Sequence, residues 1–152
     1  MNIKAVFLSI FGMAVLSLTG CQSSNLSALS LVPNDSQTVS DAMNNGYWQL
    51  TQAEIDGKTL IISAPITLSV HNGEFSGQSG INRYRTEAKL QNGSLEVDNN
   101  IQTTRMAGPV NEMRLESDYL SALRRVNHYQ RNGETLSLSG DGVSLQYRAT
   151  QP

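Results

Sequence analysis

The chain has 152 residues, with 11 lysine and arginine residues against 13 aspartate and glutamate residues and a formal net charge of −2. Its length allows one ordinary domain and excludes a large multidomain enzyme. The small negative charge provides no general cationic face for nucleic acid phosphates. The single cysteine, Cys21, excludes an internal disulfide and a zinc site built from several thiolates.

The N-terminus has the pattern of a bacterial lipoprotein signal. Lys4 precedes an apolar run from Ala5 to Leu18, which is shorter than the roughly 20 residues of a membrane-spanning helix and suits the hydrophobic region of a secretory signal. The run ends in Leu18-Thr19-Gly20-Cys21, which resembles a lipobox. We therefore predict cleavage before Cys21 and acylation of its thiol. The alternative is an ordinary signal peptide with an incidental cysteine.

An acylated Cys21 would hold the chain at a membrane, because two or more acyl chains anchor a protein stably where one is marginal. Gln22 follows the cysteine. In Gram-negative lipoproteins an aspartate at that position commonly signals inner-membrane retention, so glutamine favours the outer membrane. We expect an envelope protein on the outer membrane that faces the periplasm.

The chain divides into three predicted parts. Residues 1–20 are the signal peptide, residues 21–46 are the acylated cysteine with a flexible tether, and residues 47–152 are the folded domain. The tether is rich in Ser, Asn, Asp and Gln and cannot bury enough apolar surface to offset its ordering entropy.

The domain is predicted to be mainly β, a small antiparallel β-barrel or curled sheet. Ile66–Val70 alternates apolar and polar residues, and Asn72-Gly73 and Asn92-Gly93 each supply the two-residue turn of a hairpin. The other predicted extended segments are 47–50, 74–77, 81–90, 94–97, 101–105, 134–139 and 143–147. Short strands joined by tight turns are typical of such barrels.

One helix is predicted late in the chain, between Pro109 and Tyr129. Asn111 is the expected N-cap, because an asparagine side chain can accept hydrogen bonds from the first free N–H groups. The helix could close an open end of the barrel. Residues spaced by three, four or seven form its expected apolar face: Met113, Leu120, Leu123 and Val126.

The sequence contains no recognisable catalytic motif. His71 and His128 are its two histidines, and neither lies in a nucleophile motif such as Gly-x-Ser-x-Gly. The segment 77–80 lacks the lysine of a phosphate-binding loop, and a turn separates His71 from Glu74. His128 is expected at the end of the helix, beside Tyr129. We therefore predict no catalytic residue, no metal site and no cofactor.

Two short motifs stand out, Gly77-x-x-Gly80-x-Asn82-x-Tyr84 and Thr103-Thr104-Arg105-Met106-Ala107. In the structural interpretation the glycines permit a tight bend, Asn82 bonds a neighbouring turn and Tyr84 packs in the core. The alternative is that these residues bind a ligand. We favour the structural interpretation.

Taken in order, these segments resemble the META domain family, which includes HslJ-like envelope proteins. The resemblance begins at Trp48-x-Leu50 and ends at Leu136-x-Leu138. It implies a small barrel-like domain, often lipid-anchored or secreted, with no established catalytic activity and a role in envelope stress tolerance. The residues that match the family motifs are Trp48, Gly77, Gly80, Asn82, Tyr84, Thr104, Arg105 and Met106.

The sequence departs from the family at two positions. Many members have a cysteine before the asparagine of the first motif and another after the Met-Ala of the second. Here these positions are Ile81 and Gly108. If the family's thiols face each other, this chain must hold that junction by packing alone.

We expect a monomeric, non-enzymatic lipoprotein, attached to the membrane by its N-terminal lipid, that contacts a protein or a small molecule and does not bind nucleic acid. One alternative is an inhibitor of a lysozyme-type hydrolase, because Ser79-Gly80 and Tyr84 resemble a Ser-Gly-x-x-Tyr stretch of membrane-bound lysozyme inhibitors. Another is a lipocalin-like carrier, which requires an interior that Trp48, Phe75 and the helix leave unfilled.

Overall fold

A computed structural model describes residues 46–151. The predicted signal peptide, Cys21 and nearly all of the predicted tether lie outside the described residues. Within them one helix, α1 (Val110–Leu123), is accompanied by ten strands: β1 (Gly46–Ile55), β2 (Lys58–Thr59), β3 (Thr67–His71), β4 (Glu74–Gln78), β5 (Arg83–Gln91), β6 (Ser94–Val97), β7 (Gln102–Thr103), β8 (His128–Asn132), β9 (Thr135–Gly140) and β10 (Val143–Ala149).

Eight of these strands form a closed antiparallel barrel, in the order β1-β3-β4-β5-β6-β8-β9-β10. β10 pairs back onto β1, from Trp48 opposite Ala149 to Ile55 opposite Val143. The two short strands are additions, since β2 pairs with β1 and β7 pairs with β5. The mainly β barrel expected from the sequence is confirmed, and its closure leaves the eight wall strands without free edges.

Asparagine-glycine pairs make the turns that the sequence predicted. Asn72 and Gly73 join β3 to β4 with φ values of 49° and 78°. Asn92 and Gly93 join β5 to β6 with φ values of 50° and 83°. Two successive positive φ angles define the turn that matches the twist of a hairpin, which is why this residue pair is so common there.

Large side chains fill the inside of the barrel. Trp48 and Phe75 are 2% and 0% exposed. A carrier would need an interior that these side chains do not fill. The other fully buried side chains of high volume are Tyr119, Tyr147, Ile66, Leu68, Leu123, Leu136, Leu138, Leu145 and Val70. These side chains occupy space that a lipocalin-like carrier would offer to a ligand.

The helix α1 packs onto this core through Leu115, Tyr119, Leu120, Ala122 and Leu123. The prediction of one helix late in the chain is confirmed, although its apolar face is placed differently than expected. Met113 is 46% exposed, because it precedes Leu115 by two residues and so points to nearly the opposite side of the helix. Val126 is buried but lies beyond the last helical residue.

His128 and Tyr129 belong to β8 and not to a helix end. Tyr129 lies opposite Leu138 of β9, and it is buried. The helix ends at Leu123, and β8 begins four residues after its C-cap Arg124. The sequence pattern extended the helix too far, since apolar residues continue across the turn at helix-like spacing.

The predicted N-cap is also wrong. Pro109 occupies that position with ψ at 142°, and no side chain caps the helix. Pro109 O accepts hydrogen bonds from the N–H groups of Glu112 at 3.1 Å and Met113 at 3.0 Å. Proline fits next to the start of a helix because its missing N–H would have had no helical partner there.

Replacing Asn111 by alanine should therefore change the free energy of unfolding by less than about 0.5 kcal/mol. Loss of a true N-cap would cost about 1 kcal/mol. The substitution at the exposed position 111 only replaces one helical residue by a better helix former. Urea denaturation measures the difference. A loss near the N-cap value would contradict the placement of Pro109.

Candidate functional site

The two sequence motifs meet at Asn82, whose side chain is 3% exposed. Its Nδ2 donates to Glu116 Oε1 at 2.9 Å and to Met106 O at 3.2 Å. Its Oδ1 accepts from Thr104 Oγ1 at 2.8 Å and from the Met106 N–H at 2.6 Å. Both donors and both acceptor positions of the amide are used inside the protein.

Glu116 joins α1 to the same junction. Its Oε2 accepts from the Asn82 N–H at 3.0 Å and from Ser79 Oγ at 3.1 Å. Ser79 is fully buried, and its N–H donates to Asn82 O at 2.8 Å. Sequence reasoning did not place Glu116 at this junction. The available signal was an acidic residue on the helix flank that faces the core.

The two motif glycines allow the chain to pass close to its neighbours. A Cβ on Gly77 would overlap the carbonyl oxygen of Thr67. Gly80 has φ at 111°, a conformation that glycine adopts readily and other residues avoid. The predicted bend between the glycines and Asn82 is present, and β5 begins only at Arg83.

The second motif also leaves the extended conformation early. The predicted strand 101–105 is reduced to the two residues of β7. Arg105 has φ at 56°, which turns the chain out of the sheet and is uncommon for a residue other than glycine. Arg105 is exposed and Met106 is 52% exposed, so both side chains point away from the junction that their backbone helps to form.

Tyr84, Tyr119 and Tyr147 form a chain of hydroxyl groups across the barrel. The hydroxyl oxygens of Tyr84 and Tyr119 are 2.9 Å apart, and those of Tyr119 and Tyr147 are 3.2 Å apart. Tyr84 also donates to Thr67 O at 3.0 Å. β5 and β10 lie on opposite walls of the barrel, so Tyr119 of α1 spans the interior between them.

Burial controls the ionisation of these tyrosines. It raises the pKa of Tyr119 to about 12, and it raises the pKa of Tyr84 and of Tyr147 well above the ordinary value. All three hydroxyl groups therefore remain protonated near neutral pH and serve as hydrogen-bonding groups of the core.

Trp48 lies in the core beneath an arginine. The Arg131 guanidinium of β8 lies 5.1 Å from the centre of the Trp48 ring, close enough for a cation–π interaction. Trp48 Nε1 is buried without a hydrogen-bond partner among the described residues. The indole ring thus packs in the core and contacts the Arg131 guanidinium through one face.

These positions bear on the inhibitor alternative. Ser79 is 0% exposed and Tyr84 is 3% exposed. Both side chains form hydrogen bonds within the barrel. A segment that enters the cleft of a hydrolase must present its side chains to solvent, so the residues on which that alternative depends are not available for it.

Ile81 and Gly108 face each other. A Cβ added to Gly108 would overlap Ile81 Cδ1 and lie 3.0 Å from Ile81 Cγ1. The isoleucine side chain therefore occupies the space beside the glycine. Packing of Ile81 against the backbone of Gly108 joins the two motifs at the positions where many family members have cysteine.

The two histidines lie on strands. His71 is opposite Glu74 across the β3–β4 hairpin, with its Nε2 3.0 Å from Asn72 Nδ2. His128 Nδ1 lies 2.5 Å from Asn127 Oδ1. Across residues 46–151, no three His, Cys, Asp or Glu side chains are grouped so that they could hold a metal ion. No helix in that same range has the length and hydrophobicity needed to cross a membrane.

A clamp of charged groups joins the end of α1 to the seam where the barrel closes. Arg125 donates to both carboxylate oxygens of Asp56, at 2.6 and 3.2 Å, and to the carbonyl oxygen of Asp141. Asp56 follows β1 and Asp141 precedes β10. The Asp56 N–H also donates to Gly142 O at 2.8 Å.

We expect this clamp to weaken in acid. The hydrogen bond from Arg125 lowers the pKa of Asp56 below its ordinary value. The ion pair therefore stabilises the fold above the ordinary aspartate pKa of about 3.9, and this contribution disappears as pH falls through the lower pKa of the folded state. The melting temperature of an Asp56→Asn variant, which tolerates the positive φ at this position, should lie slightly below that of the parent near neutral pH and approach it near pH 3. A difference that does not change with pH would contradict this role.

A groove of about 730 Å³ lies beside α1 on the outer surface. One wall is the outer side of the helix, and the other is formed by Thr59 at the end of β2 and by Leu60, Ile61 and Ser63 after it. Ile61 and Val110 stand at its sides and are 83% and 84% exposed. It is an apolar opening outside the barrel, and sequence reasoning did not predict it.

Comparison with known proteins identifies the fold and the family. The sequence model of the META domain matches residues 41–152. A protein from Burkholderia xenovorans solved by NMR is 27% identical, with a TM-score of 0.61 over 74% of this chain and 86% of its own. A DUF4847 family protein from Bacteroides vulgatus is 10% identical, with a TM-score of 0.55 over 74% of this chain and 97% of its own. No curated protein matches the sequence.

The chain belongs to the META domain family. The match spans most of the sequence and the whole of the described barrel, and the resemblance inferred from the ordered motifs is thereby confirmed. The similarity to the DUF4847 protein concerns the fold alone. The comparison with these proteins concerns the barrel. It does not extend to the Ile81–Gly108 contact or to the groove beside α1.

Proposed function

We propose that this protein is a lipid-anchored envelope protein whose META domain is a non-enzymatic binding module. The observation that carries the proposal is the lipobox-like Leu18-Thr19-Gly20-Cys21 that ends the apolar run. Acylation of Cys21 fixes the chain to the outer membrane, and the residues up to β1 connect the lipid to the barrel on the periplasmic side.

The packing of the barrel supports a role in surface contacts. Its interior is filled, and the polar groups of Asn82, Tyr84 and Glu116 are engaged with one another or with neighbouring backbone. A partner protein or small molecule therefore meets the outer surface of the barrel. Such contacts at the membrane contribute to envelope stress tolerance.

The anchor is tested by replacing Cys21 with serine in the full chain, expressed in a Gram-negative host. The serine hydroxyl cannot accept the diacylglycerol that the thiol accepts. We expect the parent to be recovered in the outer-membrane fraction and to incorporate labelled palmitate, and the variant to lose both properties.

Ser23→Ala is the matched control, because it changes a neighbouring residue and keeps the thiol. It should behave as the parent does. Unchanged membrane recovery and labelling of the Cys21→Ser variant would show that the lipid anchor is wrong.

A further inference from the structure

The groove beside α1 has the features of a surface that binds its own copy. We propose that two copies of this chain associate through this face in a symmetric dimer, with the two α1 helices antiparallel. This association is a property of the barrel surface and does not depend on the lipid anchor. It departs from the monomer expected from the sequence.

The groove combines projecting and recessed apolar groups. Ile61 and Val110 project from its sides and are 83% and 84% exposed, whereas Leu115 at its floor is 3% exposed. Single exposed apolar residues are normal on protein surfaces. Here, however, two apolar side chains that are almost fully exposed stand beside an apolar groove. If two copies were related by a two-fold axis, the projecting side chains of each copy would fill the groove of the other.

The charges along the helix wall are also self-complementary. Arg114 and Asp118 are one helical turn apart and both line the groove. Neither forms a salt bridge with another residue of the described barrel. A basic residue placed before an acidic one is the less favourable order for pairing within a helix. When two such helices lie antiparallel, Arg114 of each copy faces Asp118 of the second copy.

This pattern favours a second copy over other occupants of the groove. An anionic surface, such as a phospholipid membrane, would attract Arg114 and repel Asp118. A neutral apolar ligand would leave both charges without a partner. The reciprocal contact uses both charges together with the projecting apolar side chains.

The test exchanges the charges in the mature chain, residues 21–152, carrying Cys21→Ser so that no lipid or free thiol contributes. Arg114→Asp gives two negative residues on the face, and Asp118→Arg gives two positive residues. Each variant alone would place like charges opposite each other in the dimer. An equimolar mixture of the two variants restores opposite charges at both contacts.

Sedimentation velocity at micromolar to millimolar concentrations measures the result. We expect the parent to dimerise, each single variant to dimerise about tenfold more weakly, and the mixture to regain the parent's affinity. Ile61→Ser should also weaken the dimer, whereas Arg148→Asp, an exposed charge change on β10 outside the groove, should not. All of these residues are exposed, and circular dichroism verifies that the variants are folded.

Two outcomes would overturn the proposal. If the parent chain remains monomeric throughout the concentration range, the groove does not serve dimerisation and must bind some other partner. A dimer whose affinity is the same in the parent, the single variants and the mixture uses a different face.

Discussion

Replacing Asn82 by alanine is expected to lower the free energy of unfolding by about 3 to 4 kcal/mol. The change removes all four side-chain hydrogen bonds of this residue. It also leaves Glu116, Thr104 and the Met106 backbone without that partner in a partly buried junction. The penalty is large because unsatisfied buried groups lose their hydrogen bonds to water without replacement. Urea denaturation of the mature chain with Cys21→Ser measures the loss.

Two variants separate the hydrogen bonds from the mere presence of a side chain. Asn111→Ala makes the same chemical change at an exposed position and should have little effect. Asn82→Asp keeps the shape but places a carboxylate oxygen where Nδ2 donates to Glu116, so we expect it to be strongly destabilised near neutral pH. If the free energies of unfolding of Asn82→Ala and Asn111→Ala differ by less than about 1 kcal/mol, the junction does not stabilise the barrel.

The second expected result is a stabilising disulfide in the double variant Ile81→Cys, Gly108→Cys. A Cβ at position 108 would lie 3.0 Å from Cγ1 of Ile81. The sulfur of a cysteine at position 81 would take the place of such a γ atom, and in a disulfide each sulfur lies about 3 Å from the Cβ of the partner cysteine. The bond would close a loop of roughly 28 residues and stabilise the fold by about 3 to 4 kcal/mol relative to its reduced form.

Thermal melting with and without reductant measures this stabilisation, and a free-thiol assay shows whether the bond forms. Cys21→Ser in the background prevents mispairing. Gly108→Cys alone should destabilise the fold, because the new Cβ would collide with the Ile81 side chain. In the double variant Ile81→Cys removes the side-chain atoms with which that Cβ would collide. Thiols that remain free after oxidation would mean that the two positions are not suitably oriented.

The strands and turns could be predicted because their signals are local. The alternation in Ile66–Val70 and the Asn72-Gly73 pair depend on neighbouring residues only. The same local reading misplaced the helix N-cap and Met113, since it cannot tell which side of a helix the core will cover. The structure decides that side through Leu115 and Tyr119, which meet the barrel.

By itself the sequence determined a mainly β domain of the META family, with one late helix and with tight turns at Asn72-Gly73 and Asn92-Gly93. Only the tertiary structure decided that β10 closes onto β1, that Glu116 bonds to Asn82, and that Ile81 fills the space beside Gly108. The physical reason is sequence separation. These contacts join residues that come together only when the barrel is closed, and no short stretch of sequence carries the position of a distant partner.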